Sequence, residues 1–201
     1  MIADSALPVW SIRPNWKDGI LERLSWLTDV LGSTYGTEQR RALRLSPRRA
    51  FEINFNSVDE TRSYFDLWLQ RFGSQEFMLP LFHDKGRLTA PIVAGATEIP
   101  FDTTNREFAI GELAILTGDD PFVFDKVTIS AITDAGITVG VGEVANAWPK
   151  GAAIHPLRRA RLSQESAAAA LTSRVGQATL EFELNQANEI ADEGEWTDLY
   201  G

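Results

Sequence analysis

Two stretches of the chain alternate strictly between apolar and polar residues. In FEINFN, residues 51–56, phenylalanine and isoleucine alternate with glutamate and asparagine. In GQATLEFEL, residues 176–184, alanine, leucine and phenylalanine alternate with glutamine, threonine and glutamate. A period of two residues is that of a strand with one buried face. Both stretches are therefore predicted to be half-buried strands.

The segment SVDETRSYFDLWLQRFG, residues 57–73, follows a helical period instead. Ser57 followed by Glu60 has the spacing of a capping box, and Gly73 is typical of a helix end. The pattern predicts a helix near 58–72 whose apolar stripe faces the core. The stripe consists of Val58, Tyr64, Phe65, Trp68, Leu69 and Phe72.

Three further segments give weaker signals. ILERLSWLTDVL, residues 20–31, fits either a helix or one face of a strand, because its apolar positions match both periods. EFMLPLF, residues 76–82, predicts a strand in which Pro80 marks an edge or a bend. SQESAAAALTS, residues 163–173, is consistent with a short helix or a loosely held connection.

Residues 86–158 differ in character from both flanks. They are rich in glycine, threonine, valine and isoleucine, and their short apolar runs are separated by the turn sequences TTN, GDDP and TDAG. Four or five short strands at this spacing indicate a small barrel or sandwich. The predicted fold is therefore mainly β, a β-sandwich or barrel with one packed α-helix. Residues 1–85 and 160–201 form its main domain, and 86–159 form an inserted small all-β barrel.

Composition narrows the class of protein. The chain has 201 residues, a net charge of −9 and no cysteine. An acidic chain is a poor general binder of nucleic acid, and a chain without cysteine has neither disulfides nor thiolate metal sites. No apolar run approaches the roughly 20 residues that cross a bilayer, and the N-terminal residues carry no secretory signal pattern. We therefore expect neither membrane insertion nor sequence-specific nucleic-acid binding.

The charges are unevenly distributed along this acidic chain. GTEQRRALRLSPRRAF, residues 36–51, contains five arginines, and HPLRRARL, residues 155–162, contains three more. No basic residue follows Arg174, whereas seven acidic residues do. Arginine outnumbers lysine 15 to 4, and its planar fork suits interfaces with carboxylates. The pattern fits either solvated surfaces or head-to-tail attraction between copies.

The chain lacks the common sequence motifs of enzyme active sites. The chain has no phosphate-binding glycine loop, no nucleophile elbow and no HExxH sequence. The two histidines, His83 and His155, are far apart in sequence and are expected to be structural side chains at strand ends. The acidic residues Asp102, Asp119 and Asp120 stand beside proline, threonine and glycine, as in ordinary turns. We predict that the protein is not an enzyme and has no cofactor or metal.

Tryptophan is the remaining candidate for binding chemistry. Trp26 and Trp68 fall in apolar periodic segments and are predicted to be core residues. Trp10, Trp16 and Trp148 flank prolines in loops, where structural packing or contact with a partner is expected. An exposed tryptophan on the inserted β-module could also serve a carbohydrate-binding module without catalysis, which is the alternative function.

Several blocks of sequence together resemble one family. They are PNW near the start, WLTDVL, GTEQRR, PRR before a strand, MLPLFHD after the helix, and WPKGAAIHPLRRARL. Over residues 8 to 185 the chain resembles the tail-tip and baseplate proteins of long-tailed bacteriophages, in particular distal tail proteins. The resemblance implies a tail-tube-like β fold with one helix, some relatives carrying an inserted barrel, and a structural rather than catalytic role.

The resemblance also implies partners and a location. A distal tail protein forms a homohexameric ring that joins the tail tube to the baseplate hub, and it is expected to contact the tail tube protein, the hub protein and the tape-measure protein. The location would be the virion tail tip, after assembly in the host cytoplasm. Closure of a ring needs two different faces on each subunit. The residues predicted to form these faces are Arg40, Arg41, Arg44, Arg48, Arg49, Arg158, Arg159, Arg161, Glu181 and Glu183.

An internal role for some of these arginines is the competing interpretation. Glu38 lies close in sequence to Arg41, and Glu52 lies close to Arg49. Ion pairs with either glutamate would fix a compact loop instead of joining subunits. Glu38 is accordingly predicted to be a loop-fixing residue.

Overall fold

The computed structural model describes residues 4–32, 38–42, 46–163, 167–170 and 174–185. In these residues the chain is mainly β with one α-helix, as the sequence predicted. A short 3₁₀ helix, Asp4–Ala6, precedes the first strand. No helix among the described residues is long and apolar enough to cross a membrane.

The elements follow one another in chain order. They are β1 (Ile20–Ser25), β2 (Thr28–Gly32), β3 (Glu38–Ala42), β4 (Arg48–Val58), α1 (Glu60–Phe72), β5 (Phe77–Pro80), β6 (Gly86–Arg87), β7 (Glu98–Pro100), β8 (Leu113–Thr117), β9 (Phe124–Thr133), β10 (Gly136–Val139), β11 (Ala153–Leu162), β12 (Ala167–Ala170) and β13 (Val175–Leu184).

Eleven of these strands form one antiparallel sheet. Its main path runs β1-β4-β13-β11-β8-β9-β10-β7, with β12 pairing with β13, and β5 and β6 pairing with β11. β2 and β3 form a separate two-stranded sheet. Segment 20–31, ambiguous in sequence, is thus two strands, and β1 lies at an edge of the large sheet.

The first core lies between α1 and the strands that flank it. The predicted inner faces of both alternating stretches are buried: Phe51, Ile53 and Phe55 on β4 face the same core as Leu180 and Phe182 on β13. Their registers align directly, because β4 and β13 pair along almost their full lengths. The helix contributes its apolar stripe to this core through its buried residues, Phe65 and Trp68.

A second core fills the inserted segment. Its buried residues come from positions 88 to 154, among them Phe101, Ile129 and Trp148. Strands β7 to β10 lie in the segment for which short strands were predicted, and the TDAG turn connects β9 to β10. The first core draws its residues from segments 10–82 and 160–184. The division into a main domain and an insertion stays a prediction.

Strand β11 belongs to both units. Its first half, Ala153 to Pro156, pairs with β8, while its second half pairs with β5 and then β13. A third cluster of buried side chains, which includes Leu113, Ile115 and Leu157, lies beside this strand. The proposed boundary at 159/160 therefore falls inside one continuous strand.

Two local predictions were wrong. The capping box does not form, because Ser57 and Val58 belong to β4 and the helix begins after Asp59 without a side-chain cap. Strand β4 extends this far because β13 pairs with it up to Val58. The alanine run, predicted to be a helix or a loose connection, forms β12 against β13. Cross-strand pairing here outweighs the helical propensity of alanine.

The burial of the tryptophans differs in part from the prediction. Trp68 is buried as predicted, but Trp26 is 65% exposed, so its assignment to the core was wrong. Trp10 and Trp148, which flank prolines outside the strands, are both buried. The indole N–H of Trp10 donates to the Ile12 carbonyl at 2.9 Å, which satisfies its polar group inside the core.

Candidate functional site

The first arginine block lies partly on a hairpin. Arg40 and Arg41 are in β3, opposite Val30 and Asp29 of β2, and Glu38 begins the same strand opposite Gly32. Glu38 thus lies in a strand rather than a loop. Its predicted loop-fixing role depends on its side chain, which lies outside the described residues. Arg44 lies outside the described residues altogether. The structure fixes the hairpin backbone but leaves these interface predictions open.

Arg49 connects the two units of the protein. Its Nε donates to Glu22 at 2.6 Å, and its two terminal nitrogens bind both carboxylate oxygens of Glu107 at 2.5 and 2.9 Å. Its guanidinium also lies 5.4 Å from the ring centre of Phe51. Only 13% of the side chain is exposed. Arg49 of the main domain therefore binds Glu107 of the inserted segment through two hydrogen bonds.

The protonation of this cluster follows from its geometry. Burial by itself lowers the pKa of Arg49, but the hydrogen bonds and charges of Glu107 and Glu22 together outweigh it, and the pKa is raised. Hydrogen bonds from Arg49 hold the pKa of Glu107 below its usual value. Arg49 and Glu107 are therefore both charged at neutral pH, and their bidentate pair is a strong one.

The second arginine group makes similar internal contacts. Arg158 donates to the Glu107 carbonyl at 2.6 Å and lies 3.4 Å from the Glu112 carboxylate. Arg159 pairs with Asp4 and with Glu76, the latter at 3.2 Å, and the hydrogen bond to Asp4 raises the pKa of Arg159. Arg158 thus binds residues of its own segment, 86–159, whereas Arg159 binds residues outside it. These contacts give both arginines a role within the protomer, while their role between subunits stays a prediction.

The predicted acidic face also has local partners. Glu181 accepts a hydrogen bond from Arg23 at 2.8 Å, and Arg23 also binds Glu52 at 2.5 Å. Glu183 accepts from Arg161 at 2.7 Å. All these side chains are partly exposed, so each pair contributes about 1 kcal/mol or less to stability. Such pairs can exchange partners when another surface approaches.

Arg48 differs from its neighbour Arg49. It is exposed, opposite Ser25 at the junction between β1 and β4, and in the described part of the chain no carboxylate pairs with it. Strand alternation explains the difference, because Arg49 shares the inner face with Phe51 while Arg48 points to the other face. Of the predicted interface arginines with described side chains, Arg48 is the one best placed to meet another subunit.

The edge strand β1 is a surface that sequence reasoning missed. β1 pairs with β4 on one side, and no described strand pairs with its other side. Leu21 and Leu24 on this strand are 52% and 51% exposed. Trp26 and Leu27 follow at 65% and 43%. We call these four residues, with the open side of β1, the open edge. The sequence signal was present in ILERLSWL, but its apolar period was attributed to burial.

The candidate catalytic carboxylates serve as turn residues. Asp102 accepts from the Thr104 backbone N–H at 3.0 Å, and Asp120 accepts from that of Phe122 at 2.8 Å. The backbone hydrogen bond from Thr104 lowers the pKa of Asp102. Asp119 pairs with Arg13 at 3.2 Å. Among the described residues no group of three or more histidine and acidic side chains is arranged to hold a metal ion.

The two histidines occupy different environments. His83 is exposed and stacks on Phe51 with ring centres 5.2 Å apart, and its Nε2 is 3.8 Å from Glu107. His155 lies within β11, not at its end, and is only 4% exposed. Burial lowers its pKa to about 4, and the charges of Lys85, Arg13 and His83 act in the same direction. His155 is therefore neutral at pH 7.

Burial of neutral His155 makes stability depend on pH. Its pKa is about 4 when folded and about 6.5 when unfolded, so the unfolded chain binds more protons between these values. The stabilisation is complete above pH 6.5 and is lost as pH falls toward 4, by up to about 3 kcal/mol. We expect the difference in Tm between pH 7 and pH 4.5 to be smaller in His155→Gln than in the wild type. Equal pH dependence in both proteins would contradict this assignment.

Comparison with known proteins assigns the chain to no family. No family model matches the chain, and no curated protein matches it. The functional argument therefore depends on the residues of this chain and on its geometry.

Proposed function

We propose that this chain is a structural subunit of the tail tip of a long-tailed bacteriophage. In this role it resembles a distal tail protein and forms a homohexameric ring between the tail tube and the baseplate hub. Its partners would be other copies of itself, the tail tube protein, the hub protein and the tape-measure protein. The proposal gives the protein no catalytic activity and no cofactor, and its location would be the virion.

The open edge is the observation that carries this proposal. A strand with an unpaired side and exposed leucines is a template for pairing with another chain, which isolated proteins normally avoid. Leu21, Leu24, Trp26 and Leu27 place four exposed apolar side chains in seven consecutive residues. Leu21 and Leu24 lie on opposite faces of β1, so a chain that paired with its open side would meet apolar side chains on both faces. Exposed apolar surface of this kind is typical of a site that a partner covers. In a ring, the adjacent subunit would supply that cover.

The neighbouring elements fit the same interpretation. The open edge leads directly into the β2–β3 hairpin, which pairs with no other described strand and carries Arg40 and Arg41. Arg48 is exposed at the base of the same region. Cationic groups around an apolar strand provide register and direction to a contact between unlike faces. The fold itself, a large sheet with one packed helix, agrees with the resemblance to tail-tube-like proteins.

The internal ion pairs suit a subunit that contacts neighbours on several sides. Arg49 fastens the inserted segment to the main domain through Glu107, and β11 passes through both units without interruption. The two cores are thus joined by covalent, hydrogen-bonded and ionic connections. Such a protomer would enter a ring as one rigid piece, with its interfaces already oriented.

Placing a charge on the open edge tests the proposal. We expect Trp26→Glu to abolish ring formation, because a carboxylate in an apolar contact is costly to desolvate. The variant should remain folded, since Trp26 is 65% exposed. Val141→Glu is the matched control, because Val141 is 91% exposed on the inserted segment, away from the open edge. Native mass spectrometry and circular dichroism would measure assembly and folding.

The pattern of the two variants decides the outcome. Loss of rings in Trp26→Glu together with normal rings in Val141→Glu is the expected result. Rings of normal size and stability in Trp26→Glu would show that the open edge is not the contact. An equal loss in both variants would also contradict the proposal, because it would indicate a general effect of added negative charge.

A further inference from the structure

A pocket of about 470 Å³ lies beside the segment that precedes β1, and none of the four side chains of the open edge lines it. Its walls come from the segment before β1, from β6 and the turn before it, from the end of β8, and from the start of β11 with the turn that precedes it. This volume is enough for a ligand of one or two sugar rings. The walls meet where the main domain borders the inserted segment.

The pocket concentrates positive charge in an acidic protein. Arg13, Lys85, Arg87 and Lys150 line it, against the single carboxylate of Asp119. Asp119 pairs with Arg13, and among the described residues no carboxylate pairs with the other three cations. The protein as a whole has a net charge of −9. Four cations around one cavity create a local potential that attracts anions.

The cations also act on each other. Burial lowers the pKa of Lys85, and the charges of Arg87 and Arg13 lower it further. A group of like charges held together by the fold is unfavourable without a counterion. A phosphate or carboxylate among them would relieve this repulsion. The side chains of Arg13, Arg87 and Lys150 are exposed and that of Lys85 is half-buried, so solvent screens part of this repulsion.

His155 provides an independent sign of a ligand. It lines the pocket and is only 4% exposed, yet its Nδ1 makes no hydrogen bond with any described residue. A buried polar nitrogen without a partner is unfavourable. Because Nδ1 itself has almost no accessible surface, the imidazole would have to rotate for a hydroxyl or an anion in the pocket to supply the missing hydrogen bond. The neutral imidazole can either donate or accept at this atom.

Trp16 adds a flat apolar wall. It is 51% exposed, and the ammonium of Lys85 lies 5.9 Å from its ring centre. An indole face beside a cation matches a ligand with an apolar ring face next to a charged group. A pyranose ring that carries a phosphate or carboxylate has this form, and its hydroxyls can reach His155.

We propose that this pocket binds a small anionic saccharide unit, with its phosphate or carboxylate among Arg13, Lys85 and Arg87 and its ring on Trp16. The site is separate from the open edge and does not depend on ring formation. Asp119 faces the same cavity and would disfavour a ligand with several charges. A singly substituted sugar is therefore the ligand that fits best.

Calorimetric titration of the full chain would test the site with four probes. We expect glucose 6-phosphate and glucuronate to bind with Kd values of about 1 mM or tighter, and neutral glucose to bind at least about tenfold more weakly. Inorganic phosphate should bind, but more weakly than glucose 6-phosphate, because it lacks the ring. In nitrogen-resolved NMR, the signals of His155 should shift on binding while those of His83 should not.

Three variants connect binding to the pocket. Arg13→Gln combined with Lys85→Gln should weaken both acidic sugars by at least about tenfold. Trp16→Ala should weaken glucose 6-phosphate but leave inorganic phosphate unchanged. Lys17→Gln is the matched control, because Lys17 is exposed beside the pocket without lining it, and its binding should equal that of the wild type.

Several results would overturn the proposal. They are the absence of binding by both acidic sugars at about 10 mM, an equal loss in Lys17→Gln, or adenosine monophosphate binding as tightly as glucose 6-phosphate. A peptide of residues 186–201 that displaces the sugars and binds more tightly would show instead that the pocket receives the acidic end of this chain. Loss of folding in a variant would be detected by circular dichroism, and the wild-type probe series would still decide the question.

Discussion

Replacing Trp10 with alanine is expected to lower the free energy of unfolding by about 3–5 kcal/mol. Trp10 has no exposed surface and lies at the centre of the first core. Five aromatic rings surround it with centre-to-centre distances from 4.5 to 6.2 Å: Phe55, Phe65, Trp68, Phe77 and Phe182. The substitution removes the largest buried side chain and leaves a cavity that rigid neighbours cannot fill. Denaturant unfolding at pH 7 would measure the change.

Trp26→Ala is the matched control for this prediction. The same atoms are removed, but from a side chain that is 65% exposed. Its effect on the unfolding of the separated protomer should be within about 0.5 kcal/mol. A loss below about 1 kcal/mol in Trp10→Ala would mean that the core does not depend on this residue and would contradict the packing described above.

Reversing the charge of Arg49 is expected to have the second largest effect. Arg49→Glu places a carboxylate beside Glu22 and Glu107, which now bind the guanidinium at 2.5–2.9 Å. The guanidinium is 13% exposed but its partners Glu22 and Glu107 are 32% and 40% exposed, so solvent screens part of the effect and the cost should be about 2 kcal/mol. Because Glu107 belongs to the inserted segment, hydrogen exchange should accelerate in residues 104–112 more than in the helix.

Arg48→Glu separates folding from assembly. Arg48 is the adjacent residue with the same charge change, but it is exposed and lies on the other face of the strand. We expect unfolding of the protomer to change by no more than about 0.5 kcal/mol, while ring formation weakens. Equal destabilisation by the two substitutions would contradict the internal role of Arg49. Normal ring formation by Arg48→Glu would show that Arg48 is not part of the interface between subunits.

Local sequence determined the elements that depend on local periodicity. The alternation in 51–56 and 176–184 predicted β4 and β13, because each has one buried face. The stripe around Trp68 predicted α1 for the same reason, with a period of 3.6 residues. Gly73 ends this helix as predicted, and its N–H donates to the Leu69 carbonyl.

Features that depend on distant partners were not predictable in this way. Arg49 binds Glu107, which is 58 residues away, rather than the nearby Glu38 or Glu52. The pocket gathers its cations from three separate parts of the chain, at positions 13, 85 to 87 and 150. Sequence spacing carries no information about such contacts, because the folded topology brings the groups together.

Edge position explains the errors over the tryptophans. The apolar pattern around Trp26 resembles that of a buried element, but β1 lies at the end of the sheet where nothing in the described protomer covers it. Trp10 lacks any periodic context, yet it fills the centre of the core from an irregular segment. Apolar periodicity therefore marked an exposed edge in the first case and could not predict the core in the second.

The central claim is that the open edge of one copy meets another copy in a closed ring. The most direct test is the mass of the purified wild-type protein in solution, measured by native mass spectrometry over a range of concentrations and supported by negative-stain images. We predict a six-copy species that appears in the images as closed rings. A single subunit at every concentration, with no rings in the images, would contradict the claim.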